Sequence, residues 1–269
     1  MKKGITMYFG YNTKVEERIN TIKLAGFDNV ITCADRRFNY QNGPIKKQIE
    51  LLSKAGLGVS SLHMRYQGKD LPKFFKRGLF GYIMQKRLEK DVKIAKKYGF
   101  TCVVVHFGGE PSEIGWKRLR KVLKVCHKYD IPLAIENLND CRGFFECFEK
   151  IKDDYLKFCW DVGHSNCFSK DIKFVDKYKD KLIALHLHDN NGLEDQHTLN
   201  KYGTVNWDEI AKILASLDHD INLDYEILMH YRQDETAEEV VKETYRQACE
   251  LEKLILKYKK WVSEIANWK

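Results

Sequence analysis

The chain has 269 residues, a formal net charge of +8, 31% charged residues and four prolines. That length is normal for a single α/β barrel, which takes about 250 residues, and it buries a sizeable core without disulfide staples. No stretch approaches the roughly 18 apolar residues of a membrane span, and the start, MKKGITMYFGYN, lacks an apolar h-region, so a cytoplasmic protein without a signal peptide is expected.

Short apolar runs predict strands at 4–9, 28–33, 58–63, 101–106, 131–136, 156–161, 181–187 and 221–226. Helical patterns fall between them, near 13–25, 44–56, 82–98, 112–129, 143–152, 170–179, 206–217 and 233–262. Gly26, Gly56 and Gly99 follow helical runs as helix-ending residues. Strand and helix alternate from end to end with no linker or composition break, so one domain over 1–269 is expected. Eight βα units closing on themselves make a (β/α)8 barrel, whose active site lies at the C-terminal ends of the strands. A doubly wound open sheet alternates in the same way, but it does not place an acid or a histidine at almost every strand end. The long connections 64–81 and 188–206 are the expected lids. The final helical pattern is longer than a barrel needs and is expected to cover the outside or support a homodimer.

The positive charge concentrates in KFFKR (73–77), QKRLEKDVKIAKK (85–97), KRLRKVLKVCHK (117–128) and LEKLILKYKK (251–260). The last three are amphipathic patterns whose basic faces point to solvent in a barrel. Only Arg36, Arg37, Arg65 and Lys69 fall in loops expected around the site, so nucleic acid is an unfavoured partner. None of the eight cysteines forms a C-x-x-C pair, and all are expected to be reduced, Cys102 and Cys159 as small hydrophobes within strands.

The runs SLH, CVVVH, IPLAIE, KFCWD, KLIALH and NLDYE each end on a polar, metal-liking residue: His63, His106, Glu136, Asp161, His186 and Glu226. WDVGHSN adds His164, and HLHDNNGLEDQH adds Asp195 and His197. Any one of these reads equally well as a surface charge past a strand, but that reading does not explain their shared position. Glu136, Asp161, His186 and Glu226 form the central set, an oxygen/nitrogen site suited to Mn2+, Co2+, Mg2+ or Zn2+. Three carboxylates leave such a site net negative, which suits a neutral polyol. The ion polarises a carbonyl, and a carboxylate on each face of the sugar removes and returns a proton. His63, His106, His164 and Arg65 are the candidate substrate-binding residues. His188 is expected on the other side of its strand from His186, supporting the ligands at most, and His127, His219 and His230 are assigned no role.

With FCWDVGHSN and LHLHDNNGLEDQHTLNKYGTVNW, the chain resembles the xylose-isomerase-like TIM-barrel superfamily over nearly its whole length. That superfamily comprises sugar isomerases and epimerases together with the endonuclease IV family of AP endonucleases. The resemblance implies one divalent ion on Glu136, Asp161, His186 and Glu226, with the two glutamates as the acid/base pair. It also permits up to three Zn2+, because endonuclease IV uses nine ligands and this chain has a matching type at each: His63, His106, Glu136, Asp161, His164, His186, Asp195, His197 and Glu226. DQHTLNKYG departs from the endonucleases' Asp-Arg-His followed by Gly-x-Gly, although Tyr66 falls where they place a tyrosine. The favoured expectation is a metal-dependent isomerase or epimerase of a small sugar or sugar phosphate. The alternatives are a multinuclear zinc phosphoesterase of the AP-endonuclease type and a sugar- or metal-binding accessory subunit. A substrate phosphate would be met by Arg36, Arg37, Arg65 or Lys201.

Overall fold

Eight runs of buried residues pair in parallel: β1 Lys3–Thr6, β2 Asn29–Cys33, β3 Gly58–His63, β4 Cys102–Val105, β5 Leu133–Glu136, β6 Leu156–Asp161, β7 Leu182–His186 and β8 Leu223–Tyr225. The strand order is β7-β6-β5-β4-β3-β2-β1-β8. The ring closes where Leu187 bridges Tyr225, donating to Asp224 O at 2.9 Å and accepting from Glu226 N at 2.9 Å. The computed structural model describes residues 1–35, 42–65, 71–107, 110–139, 141–169, 173–229 and 234–266. Arg36, Arg37, Tyr66, Lys69 and His230 lie outside the described residues.

The described helices are α1 Val15–Ala25, α2 Ile45–Ala55, α3 Leu71–Phe74, α4 Leu79–Tyr98, α5 Glu113–Tyr129, α6 Arg142–Lys150, α7 Val162–Phe168, α8 Phe174–Tyr178, α9 Trp207–Ala215 and α10 Ala237–Ala266. No described helix is long and apolar enough to cross a membrane. The three expected glycines end α1, α2 and α4 in the left-handed region, at φ 107°, 69° and 78°. Two helices were not legible in the sequence. α3 sits in the connection expected as an irregular lid, and α7 starts directly on Asp161. The Asp161 carboxylate caps α7 by accepting from His164 N at 2.6 Å. A capping aspartate that also ends a strand leaves no loop between the two elements, so the polar segment VGHSNCF is helical against its composition.

The period of two in each strand sorts the side chains. Leu62, Val103, Val105, Leu133, Ile135, Phe158, Trp160, Leu185, Leu223 and Tyr225 belong to one large core shared with the surrounding helices. Cys102, Val104, Ala134, Cys159 and Ala184 are in the opposite phase and form a separate small-residue cluster inside the ring. Continuing that inward phase by two residues reaches His106, Glu136, Asp161 and His186, and the same alternation carries His63 and Glu226 inward. A buried apolar strand therefore delivers its last inward residue to the mouth.

The basic helix faces are exposed as expected, including Lys86, Lys90, Lys93 and Lys97 on α4 and Lys117, Lys121 and Lys124 on α5. Arg118 is the exception. It is buried, and its guanidinium donates to the carbonyls of Phe74, Lys76 and Gly78, tying the chain after α3 to α5. At the other end of the barrel Glu252 of α10 takes Lys3 at 2.6 Å and the N-terminal ammonium at 2.7 Å.

Candidate metal centre

All nine expected residues meet at the C-terminal mouth. Glu136 is the hub. Its Oε2 lies 2.9 Å from His106 Nε2, 3.1 Å from His186 Nδ1 and 3.4 Å from His63 Nε2, while Oε1 is 3.5 Å from His164 Nδ1. His186 Nδ1 is also 3.7 Å from Glu226 Oε2. On the far side Asp195 Oδ2 lies 3.2 Å from both His164 Nε2 and His197 Nε2.

The histidines are held in a way that leaves one nitrogen for the site. His63 Nδ1 faces Met64 O at 3.0 Å, His164 Nδ1 faces Asn137 O at 2.8 Å, and His197 Nδ1 faces Glu226 O at 2.7 Å. A carbonyl only accepts, so each ring donates there and turns Nε2 inward, the arrangement of ligating histidines. Among the described residues, Glu136 Oε2 and both nitrogens of His186 are buried without an aligned hydrogen bond, close as their neighbours are. The separations of 2.9–3.4 Å around Glu136 Oε2 match the roughly 3.3 Å between ligand atoms about 2.0–2.1 Å from a shared ion. The donor set therefore fits divalent metal. Among the described residues it falls into His63/Glu136/His186, Asp161/His186/Glu226 and Glu136/Asp161/His164 groups, with His164, His188, Asp195 and His197 as a further group.

Electrostatics follow from this crowding. Burial raises the Glu136 carboxyl, but the imidazoles of His106 and His186 outweigh it and hold the group well below the usual range. Burial lowers His164 and His197, yet acidic neighbours prevail and push them up to about 10 and about 9, Asp161 and Asp195 acting on the first and Asp195 chiefly on the second. Asp195 in turn is held far below its ordinary value by those two histidines, against the effect of burial. His106 is depressed by burial despite Glu136.

Two positioning features escaped the sequence reading, and a third was misread in direction. Asn137 follows Glu136 and pairs with the next strand end like a backbone group, accepting from Asp161 N at 2.8 Å and donating to Asp161 O at 2.9 Å. Asp189 fastens the 188–206 connection, accepting from Asn190 N and Val205 N through Oδ1 and from Trp207 Nε1 at 2.7 Å through Oδ2. A Cβ on Gly203 would come within 1.8 Å of Asp189, which explains the Gly-x-x-x-Trp end of that segment. His188 is the third, and here the expectation was wrong. Residues two apart share a strand face, so His188 lies on the same side as His186, with Nε2 3.1 Å from Asp161 Oδ1.

Arg65 points its guanidinium at Asp91 of α4, 2.9 Å away, and Lys201 is paired with Glu235 at 2.6 Å. A cavity of about 230 Å³ opens over the site, lined among others by Cys33, Asn42, His63, His106, Asp195 and Glu226. Glu226 is 19% exposed and Glu136 only 1%.

The family model described as the xylose isomerase-like TIM barrel matches residues 17–247. The chain belongs to that family. An uncharacterized protein of Sinorhizobium fredii is 29% identical over 257 residues, covering 81% of this chain and 83% of the relative. A second uncharacterized relative, from Methanocaldococcus jannaschii, is 23% identical over 210 residues, covering 76% and 80%. Among solved structures, a D-tagatose 3-epimerase-like protein aligns over 99% of this chain and 100% of its own, with TM-score 0.74 and 19% identity. A 3-keto-D-glucoside 4-epimerase of E. coli aligns over 92% and 98%, with TM-score 0.71 and 16% identity. At such identities the likeness is one of fold.

Proposed function

We propose that the chain is an enzyme that isomerises or epimerises a small sugar or sugar phosphate with a divalent ion held by Glu136, Asp161, His186 and Glu226. The observation that carries this reading is the gathering of these side chains at four successive strand ends, Asp161, His186 and Glu226 in one group with Glu136 3.1 Å from His186, next to a small cavity that Glu226 lines. At about 230 Å³ the cavity is smaller than the roughly 300–1,000 Å³ of drug-sized sites, which suits a compact guest. When bound, a divalent ion polarises a substrate carbonyl and acidifies the neighbouring C–H. Glu226 faces the cavity and takes or returns a proton there. Glu136, held ionised among histidines, is the partner carboxylate on the ligand side, and His63, His106 and His164 orient substrate hydroxyls. The named activities of the epimerase-like neighbours support the class of chemistry by analogy only.

A second reading is favoured by one observation: Asp195 and His197 lie together with His164 and His188 in a group that includes none of the central four. Ligands for further ions suit phosphoester hydrolysis, where several Zn2+ clamp the attacking and leaving oxygens. Elemental analysis of gently purified protein separates the two. One Mn2+ or Co2+ per chain, with ketose or aldose turnover lost in Glu226→Gln, supports the first reading. Two or three Zn2+ with chelator-sensitive phosphoester cleavage and no sugar turnover replaces it with the second.

A further inference from the structure

His188 faces inward at the mouth, and the metal reading makes it no ligand. It is fully buried, and its Nε2 spans both oxygens of Asp161, at 3.1 and 3.2 Å. Its Nδ1 is buried with no hydrogen-bond partner among the described residues. Only Nε2 has acceptors in reach, so a neutral ring carries its proton there and donates it to the carboxylate.

The ring is also locked sterically. It lies against Gly163, where an added Cβ would come within 1.9 Å of the imidazole, and it stacks on His197 with centroids 3.8 Å apart and planes 14° from parallel. The second contact decides what His188 does. An imidazole binds an ion in its own ring plane, along the nitrogen lone pair. Two rings stacked face to face have no common point in both planes at bonding distance, so His188 and His197 do not share an ion. Proximity alone groups His188 with His164, Asp195 and His197, but the stacking rules it out as a fourth ligand there.

We propose that His188 is a positioning residue. It fixes the Asp161 carboxylate for the ion of the Asp161/His186/Glu226 group and, by carrying the His197 ring, couples that group to the His164/Asp195/His197 group. The proposal rests on the reading that these groups hold metal. Hydrogen-bonded partners of metal ligands typically contribute about 10–100-fold to affinity, and the proposal places His188 in that role.

The test pairs two substitutions of similar size. In His188→Gln the side-chain amide can still donate to Asp161, whereas in His188→Leu nothing can. Co2+ and Mn2+ affinities are measured on metal-stripped full-length protein by competition with a chromophoric chelator, with the Co2+ absorption spectrum and thermal melts recorded alongside. The expected result is that His188→Leu binds the first ion about 10–100-fold more weakly, while His188→Gln stays within about threefold of wild type. The number of ions per chain and the Co2+ band pattern should not change. Loss of an ion per chain or an altered band pattern in both variants would make His188 a ligand and overturn the proposal. A lowered melting temperature with unchanged affinity in both would make its role purely structural, and would overturn it as well. If the wild type itself binds no ion, the metal reading fails, an outcome distinct from tight wild-type binding that the leucine leaves untouched.

Discussion

At the residue scale the mouth is a set of proton-binding groups that would compete with a bound metal. His164 and His197 are raised to about 10 and about 9, above the ordinary histidine value of about 6.5. A raised value means that their ion pairs with Asp195 contribute stability that is full below about pH 6.5. That contribution is lost as pH rises through 9 and 10. On the proposed reading a metal would have to displace these protons, so the sign for binding is opposite. Apparent Zn2+ affinity of the stripped protein should rise with pH between 6.5 and 8.5, by up to about tenfold per unit for each proton displaced. Chelator competition at three pH values reads this slope, and a flat profile would remove His164 and His197 from the ligand set. Gly163 offers a second check at this scale. In Gly163→Ala the new Cβ meets the His188 ring, so the variant should lose about 1–3 kcal/mol in denaturant melts and bind metal more weakly.

At the scale of elements the question is what holds the 188–206 connection over the mouth. Asp189 ties it from below, and Asp195 and His197 tie it across the mouth. Its tip carries Leu193, 80% exposed. Removing metal should loosen the second tie and leave the first. Limited proteolysis of the chelated protein should therefore cut faster within 191–197, with the barrel intact. Trp207→Phe, which leaves Asp189 Oδ2 without its indole donor, should cost about 1–3 kcal/mol and raise cleavage there even with metal present. The Arg65–Asp91 pair works similarly on the other side. Burial pushes Asp91 up to about 7 against the pull of Arg65. The neutral form is therefore favoured in the fold. Its stabilising contribution is full below about pH 4 and is lost as pH rises through 7. Asp91→Asn does not titrate, so its melting temperature should gain on that of the wild type from pH 5 to pH 8.

At the scale of the whole molecule, candidate ligands drawn from the ends of β3 to β8 would make a bound metal part of folding stability. Saturation at 100 times Kd adds about 2.7 kcal/mol per site, or very roughly 5–10 °C in a chain of this length. Differential scanning calorimetry with and without chelator should show that shift, and its absence would mean the mouth holds no tightly bound ion. The charge is organised on the same scale. Exposed lysines coat α4 and α5 on the outside of the barrel, while the described cations Arg65 and Lys201 are paired with acids.

The sequence alone determined the barrel and the six polar residues that close its apolar runs, because period-two alternation and a polar residue at the end of each run are local signals that a parallel ring turns inward, and the polar segments after β6 and β7 supplied the other three of the nine. Its one wrong reading of direction, at His188, was a misuse of that same period rather than a missing signal. Tertiary structure alone decided which groups touch. Asn137 clasps Asp161, Asp189 reaches Trp207, Arg65 turns to Asp91, and Arg118 leaves its basic face to hold three carbonyls. These pairs lie 18 to 44 residues apart in the chain. No periodicity within an element encodes them, since each depends on where closure of the ring sets one element against another.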